Sequence, residues 1–571
     1  MPSEPPPPQR DPTTAGRPQR RRIWDRNLLF FLVCLAGVGV AVGRILTPPP
    51  APTVRSFDPT LYRKAAFAGV VRELDEAMTA DWKQAGLNVA PKADDLIVTR
   101  RLSLALTGTL PSIQEIRALE SQPEDDRIHW WISRLLEDRR HSDYLAERFA
   151  RAYVGVENGP FLVYRRRRMV SWLSDQIQQN RPYDDLVRNL ITAEGNWTSN
   201  PEANFLTVTI DPNDKPEEGE KPKGPDEVKL AARVTRAFLG VRLDCVQCHD
   251  DKFGDRWKQK DFHQLASFFA QSEVQFTGVQ DDPKREYRFR YLRTPEEVVI
   301  PPIVPFNQEL LPDEGGLRER LATWVTHADN RPFARATVNR VWALLFNKPL
   351  VHPIDEIPLD GPWPKAMEIL SDDLIGNGFD LHRLVRVIAS SRAFQLDSRA
   401  PEGAPPVTDA QERAFAAFPV TRLRPEQVAG SVIQSSTLRT INADAHIIQK
   451  MKRVFGQGGF VKRYGDLGED EFSQTGGTIP QRLLLMNGNM VSEQIKHNPV
   501  LNASTRIGMV APDDETAVET AFLATLTRSP TAEESGHFSA QLRGTKGDER
   551  SERMADLYWA LLNSTEFSWN H

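Results

Sequence analysis

Two periods of apolar residues run along this chain, and one stretch has no period at all. Leu28 to Leu46 is almost continuously apolar and carries no charge until Arg44. At about 1.5 Å of rise per residue, a helix of that length crosses a bilayer. Beyond it, the 3.6-residue period of amphipathic helices dominates. It marks Leu96 to Leu106, Tyr144 to Val156, and Trp172 to Ile191, the last interrupted at Arg181 and Pro182. It returns in Leu230, Val234, Ala237, Phe238 and Val241, and in Phe262, Leu265, Ala266 and Phe269. Leu317 to Trp324, Val338 to Phe346, Leu381 to Ile388 and the stretch Leu557 to Leu562 show it again. Thr107 to Pro111 punctuates the pattern, and Ser112 with Glu115 three residues on reads as a capping box opening the next helix. Tyr287, Phe289 and Tyr291 alternate with Arg288 and Arg290, the period of a short strand. The pattern predicts a mainly α, multidomain protein with short β elements behind an N-terminal transmembrane anchor.

Arg20, Arg21, Arg22 and Arg26 precede the apolar run. The positive-inside rule then leaves the N-terminus in the cytoplasm and places the bulk of a single-pass chain outside it, at the cell membrane. A cleavable signal peptide is the competing reading, because Ala41, Val42 and Gly43 form a small-x-small site. Either reading exports the body. The expected organisation is a Pro- and Arg-rich head over 1–27, the span over 28–46, and a Pro-rich stalk over 47–60. A first helical domain covers 61–275, with an inserted loop near 201–227 where Pro, Glu, Asp and Lys replace periodicity. A connecting segment over 276–315 leads to a helical domain over 316–571, with an internal loop near 400–418.

Charge narrows the function little. With 72 basic and 77 acidic residues among 571, the net charge of −5 gives no global field for nucleic acid. The basic run Arg165 to Arg168 precedes the apolar pattern Val170, Leu173, Ile177, so it reads as a helix start or an anionic-surface contact. Trp197, Trp257, Trp324, Trp342 and Trp363 are core candidates that would also suit sugar stacking. Asp372–Asp373 and Glu469–Asp470–Glu471 read as solvated surface. No GxGxxG opening a helix, GxxxxGK[ST], HExxH or GxSxG occurs.

The one stretch that names a chemistry is Cys245-Val246-Gln247-Cys248-His249. Cys-x-x-Cys-His is the spacing of covalent haem c attachment, the two thiols adding to the vinyl groups and the imidazole becoming the proximal iron ligand. Only three cysteines occur; the third, Cys34, sits in the apolar run as a small hydrophobe. With 11 histidines in the chain, one follows a given CxxC by accident roughly once in fifty times. Two other readings stay open: a disulfide in an oxidising compartment, and another metal site on Cys245, Cys248 and a remote ligand. A haem iron also needs a sixth ligand. No methionine lies between His249 and Met367, so His263 is the nearest candidate, against a solvated position on its helix. His327 and His352 have no positional argument.

Phe238 to Asp250, followed by Asp261–Phe262 and Ser267–Phe268–Phe269, resembles the planctomycete cytochrome-c-like domain. Leu106–Thr107–Gly108 with Leu110–Pro111, and the helix Tyr144 to Ala152, resemble its N-terminal part. Asn339 to Trp342 with Leu345–Phe346, Ile479–Pro480–Gln481 with Leu485 to Gly488, and Leu561 to Phe567 resemble its usual C-terminal companion. The resemblance implies an exported bacterial protein of a family whose activity is not established, and its cytochrome label rests on the CxxCH itself. Such proteins commonly continue Cys-His-Asp-His, whereas here Cys248-His249-Asp250-Asp251 follows. Asp251 suits a hard metal ion and is a poor haem ligand.

Two expectations follow. One is a membrane-anchored haem c protein in extracytoplasmic electron transfer or redox chemistry, meeting an extracytoplasmic redox partner. The other is a non-redox envelope module that binds polysaccharide or acts as a scaffold, its CxxC a disulfide or metal staple. A metal-dependent hydrolase is a weaker third.

Overall fold

The computed structural model describes residues 28, 30–32, 57–156, 164–211, 224–251, 256–292, 296–401, 403–441, 460–465, 472, 477–498 and 502–571. Leu28, Phe30, Phe31 and Leu32 are helical and exposed, and the rest of the apolar run, with Cys34, lies outside the described residues. Among those residues no helix is long and apolar enough to cross a membrane.

Helix Asp95–Thr107 is the keel of the fold. Asp94 caps it by accepting from the Leu96 N–H at 2.8 Å, and Gly108 ends it in the left-handed conformation. From Ile97 to Thr107 every residue is buried, so this helix is enclosed all round. Ile97, Val98, Leu102, Ala105 and Leu106 join a large hydrophobic cluster built from residues between Tyr62 and Phe418, with Phe472. Leu104, with Leu110, joins a second cluster built chiefly from Leu423 to Phe567. The large cluster takes side chains from both sides of the 276–315 segment, so the two halves share one core there. Helix Arg331–Phe346 packs on Asp95–Thr107, on Lys365–Gly376 and on the π-turn Thr235–Leu239.

The local signals hold. Ser112 and Glu115 form the capping box, and Trp172 to Ile191 divides at Arg181–Pro182 into helices Arg166–Gln178 and Tyr183–Ile191. Arg288–Phe289 pairs antiparallel with Val298–Val299. Two further antiparallel pairs are Ser272–Gln275 with Gly278–Asp281 and Thr421–Arg422 with Trp569–Asn570. Arg166 forks onto Glu147 at 2.8 and 2.9 Å, an intramolecular use of the basic run. Trp324 and Trp342 are core, while Trp197, Trp257 and Trp363 are half-buried. Asp372 and Asp373 pair with Arg331 and Arg383, so neither is a free carboxylate; 469–471 lies outside the described residues.

Two expected loops are corrected in part. Within 201–227, Pro201–Thr207 forms buried helical turns, because the Asn204 amide donates to the Trp197 and Pro201 carbonyls and Phe205 packs on Phe238. Within 400–418, Asp409–Arg413 is helical and Phe415 and Phe418 pack on Phe346. In both places a few aromatic anchors overrode polar composition.

Candidate functional site at the CxxCH loop

Helix Glu227–Val234 continues as the π-turn Thr235–Leu239 and ends at Gly240, whose φ of +61° is left-handed. Leu230, Val234, Ala237, Phe238 and Val241 are all buried, so the stripe seen in the sequence faces the protein core. At Gly240 a Cβ would stand 2.9 Å from Ile357 Cδ1 and 3.3 Å from Ala336 Cβ. Gly240→Ala is expected to cost about 1–3 kcal/mol through strain and this crowding, read as a lower urea midpoint. An unchanged midpoint would show that the turn adapts.

Beyond Gly240 the chain enters a 3₁₀ turn over Asp244–Gln247. Val246 points inward and is buried, while Cys245, Cys248 and His249 are exposed. The two thiols are unbridged. His249 Nδ1 lies 2.8 Å from the Asp250 carbonyl oxygen. A carbonyl only accepts, so Nδ1 carries the proton and the Nε2 lone pair is left for a ligand. Metal-binding imidazoles are commonly oriented in this way.

The loop is braced from beneath. The Gln247 carbonyl accepts from Gln259 Nε2 and from His263 Nε2, each at 3.0 Å. His263 Nδ1 in turn accepts from the Tyr287 hydroxyl at 2.9 Å, and the ring stacks on Phe289 at 3.5 Å. The Asp250 carboxylate accepts the Gln259 N–H at 2.8 Å, tying the residue after His249 to the start of helix Gln259–Ala266. The Asp251 N–H donates to the Trp257 carbonyl at 2.9 Å. His263 is 1% exposed, which corrects the expectation of a solvated helix face. Burial holds its imidazolium form down, and both nitrogens are satisfied in the neutral ring. Ligation of iron by His263 would exchange one of these hydrogen bonds for the metal. His352 is exposed, His327 Nδ1 accepts from the Asp329 N–H, and Met367 is fully buried in the core.

The donor set suits haem c. Two free, exposed thiols stand with two residues between them, next to an imidazole with an open Nε2. Among the described residues no group of three or more His, Cys, Asp or Glu side chains is placed to hold another metal ion. The sequence named Cys245, Cys248 and His249 as candidates by their spacing. It gave no local sign that Gln259 and Tyr287 brace this loop, because those contacts arise through space.

Residues 73–274 match the family model PSCyt2, described as "Protein of unknown function (DUF1549)". Residues 317–457 match PSD1, described as "Protein of unknown function (DUF1553)". No curated protein and no solved structure matches the chain. The CxxCH loop lies in the first matched segment. The two matches follow one another along the chain, and PSCyt2 and PSD1 are the paired domains of planctomycete cytochrome-c-like proteins.

Proposed function

We propose that this is a membrane-anchored, extracytoplasmic protein that carries haem c on Cys245, Cys248 and His249 and serves electron transfer or redox chemistry. The observation that carries the reading is the Nδ1 contact of His249 with the Asp250 carbonyl, which leaves Nε2 for iron beside two free thiols. The apolar run 28–46, flanked by arginines, supports the anchor and the export that haem c attachment requires. When bound, haem supplies one-electron chemistry. The chain's part is to present both thiols on one turn, fix the tautomer of His249, and hold the Gln247 peptide rigid through Gln259 and His263. An exposed attachment loop also suits encounter with a redox partner at the surface.

The test is expression with a c-type maturation system, followed by haem staining of denaturing gels and a pyridine haemochrome spectrum. Wild-type protein is expected to keep its haem through denaturation, and the Cys245→Ala/Cys248→Ala variant to carry none. Exported wild-type protein without haem would sink the reading and return the CxxC to a structural staple.

A further inference from the structure

The strand of chain that leads into Cys245 is held by the second domain. The Gly240 carbonyl accepts the Ile357 N–H at 2.7 Å. Asp355, buried, accepts from Arg236 Nε at 2.9 Å and from Arg242 Nη2 at 3.0 and 2.8 Å. Arg236 also reaches Asp244, the residue before Cys245, at 3.3 Å. One carboxylate therefore joins two guanidiniums that flank Gly240 and Val241 in sequence. Burial pushes the Asp355 carboxyl up, but the Arg242 hydrogen bond and the two positive charges outweigh it and hold it below its usual range.

Asp355 is itself firmly placed. Asn339, fully buried in helix Arg331–Phe346, accepts from the Val351 N–H at 3.0 Å and donates to the Val351 carbonyl at 2.8 Å. Support thus runs from a core helix through Asn339 to Val351, four residues along the backbone from Asp355, and from Asp355 through Arg236 and Arg242 towards the CxxCH loop. The loop's other support, at Gln247, comes from within the first domain.

We infer that Asp355 is a positioning residue for the CxxCH loop, so that the second domain completes a site whose attachment residues all lie in the first. Its local consequence, a rigid approach to Cys245, is independent of haem. Its consequence for cofactor attachment rests on the reading proposed above.

The experiment compares hydrogen exchange by mass spectrometry in full-length, haem-free wild type, Asp355→Ala, Arg242→Ala and the double variant. Amides over 240–247 are expected to exchange about tenfold faster in Asp355→Ala, with helix Arg331–Phe346 unchanged. The double variant is expected to exchange no faster than Asp355→Ala, because the two side chains act as one contact. Unchanged exchange over 240–247, or equal acceleration in the helix, overturns the inference, since the latter is general destabilisation. Asp355→Asn, which keeps the shape and an acceptor, takes the place of Asp355→Ala if that variant does not accumulate. Covalent haem per exported chain is then expected to fall several-fold. Haem-bearing wild type with unchanged yield and exchange in the variant also overturns the inference. Wild type without haem, with the exchange effect intact, defeats the haem reading alone and supports the positioning role.

Discussion

Arg101→Met is expected to destabilise the chain by about 3 kcal/mol or more and to free its last described residues, although it replaces a charge with an apolar side chain of similar length. Arg101 is fully buried in helix Asp95–Thr107. Its Nε donates to the His571 carbonyl at 2.7 Å, and its Nη1 to the Leu396 and Phe394 carbonyls at 2.6 and 3.2 Å. The guanidinium also lies 3.7 Å from the centre of the Phe418 ring. Arg100 beside it reaches the carbonyls of Leu526, Glu566 and Phe567 at 3.1–3.3 Å. Burial pushes Arg101 down to about 9 and Arg100 down to about 10, so both stay charged at neutral pH. Methionine would leave the buried Phe394 and Leu396 carbonyls and the part-buried His571 carbonyl without this donor, each unmade buried bond costing on the order of 1–3 kcal/mol. Arg101→Lys is expected to rescue little, because an ammonium cannot span the fork. The check is urea unfolding followed by the second core, with hydrogen exchange over 565–571. Wild-type stability and protection in Arg101→Met would refute the clamp.

Acid is expected to unfold this protein earlier than its surface charges suggest, through two histidines. His141 and His382 are buried with ring centres 5.7 Å apart, and neither Nε2 has a hydrogen-bond partner among the described residues. His141 Nδ1 lies 3.2 Å from the Leu106 carbonyl. Burial is the main cause that pushes His141 down to about 4 and His382 down to about 3. Arg386 lowers both further, His141 opposes protonation of His382, and Asp138 favours protonation of His141. An unfolded histidine titrates near 6.5, so above that pH folded and unfolded chains are both neutral here and stability does not respond. Below it, the unfolded chain binds protons that the folded chain refuses. Stability then falls as pH drops, by roughly 1.4 kcal/mol per unit for each histidine, until the folded rings titrate near 4 and 3. Between pH 6.5 and 4.5 the pair would remove on the order of 5 kcal/mol. Urea midpoints measured across that window in wild type and in His382→Phe should differ in slope by about one proton. Equal slopes would remove this pair as the cause.

Both effects sit on residues whose types point the wrong way in the sequence. Nothing in the apolar period of Leu96 to Leu106 marks Arg100 and Arg101 as buried, yet both are enclosed, and carbonyls from residues nearly 300 and 470 positions away arrive to solvate the Arg101 guanidinium. His263 suggests either a ligand or a surface residue. It is instead a buried brace, because Tyr287 and the Gln247 carbonyl reach its two nitrogens from separate elements.

The sequence by itself determined what depends on neighbours along the chain. Apolar periodicity set the helices, Ser112 with Glu115 set a helix start, and Pro182 set a break, because each acts within one or two turns of backbone. The CxxCH spacing likewise put both thiols and the imidazole on one short stretch of backbone, the local arrangement that the proposed haem c site needs. Tertiary structure alone decided which polar groups are buried and what satisfies them. It placed Asp355 between Arg236 and Arg242, paired His141 with His382, and closed the Arg101 fork on His571. A buried charge or imidazole is tolerated only when partners converge on it in space, and sequence distance does not encode that convergence.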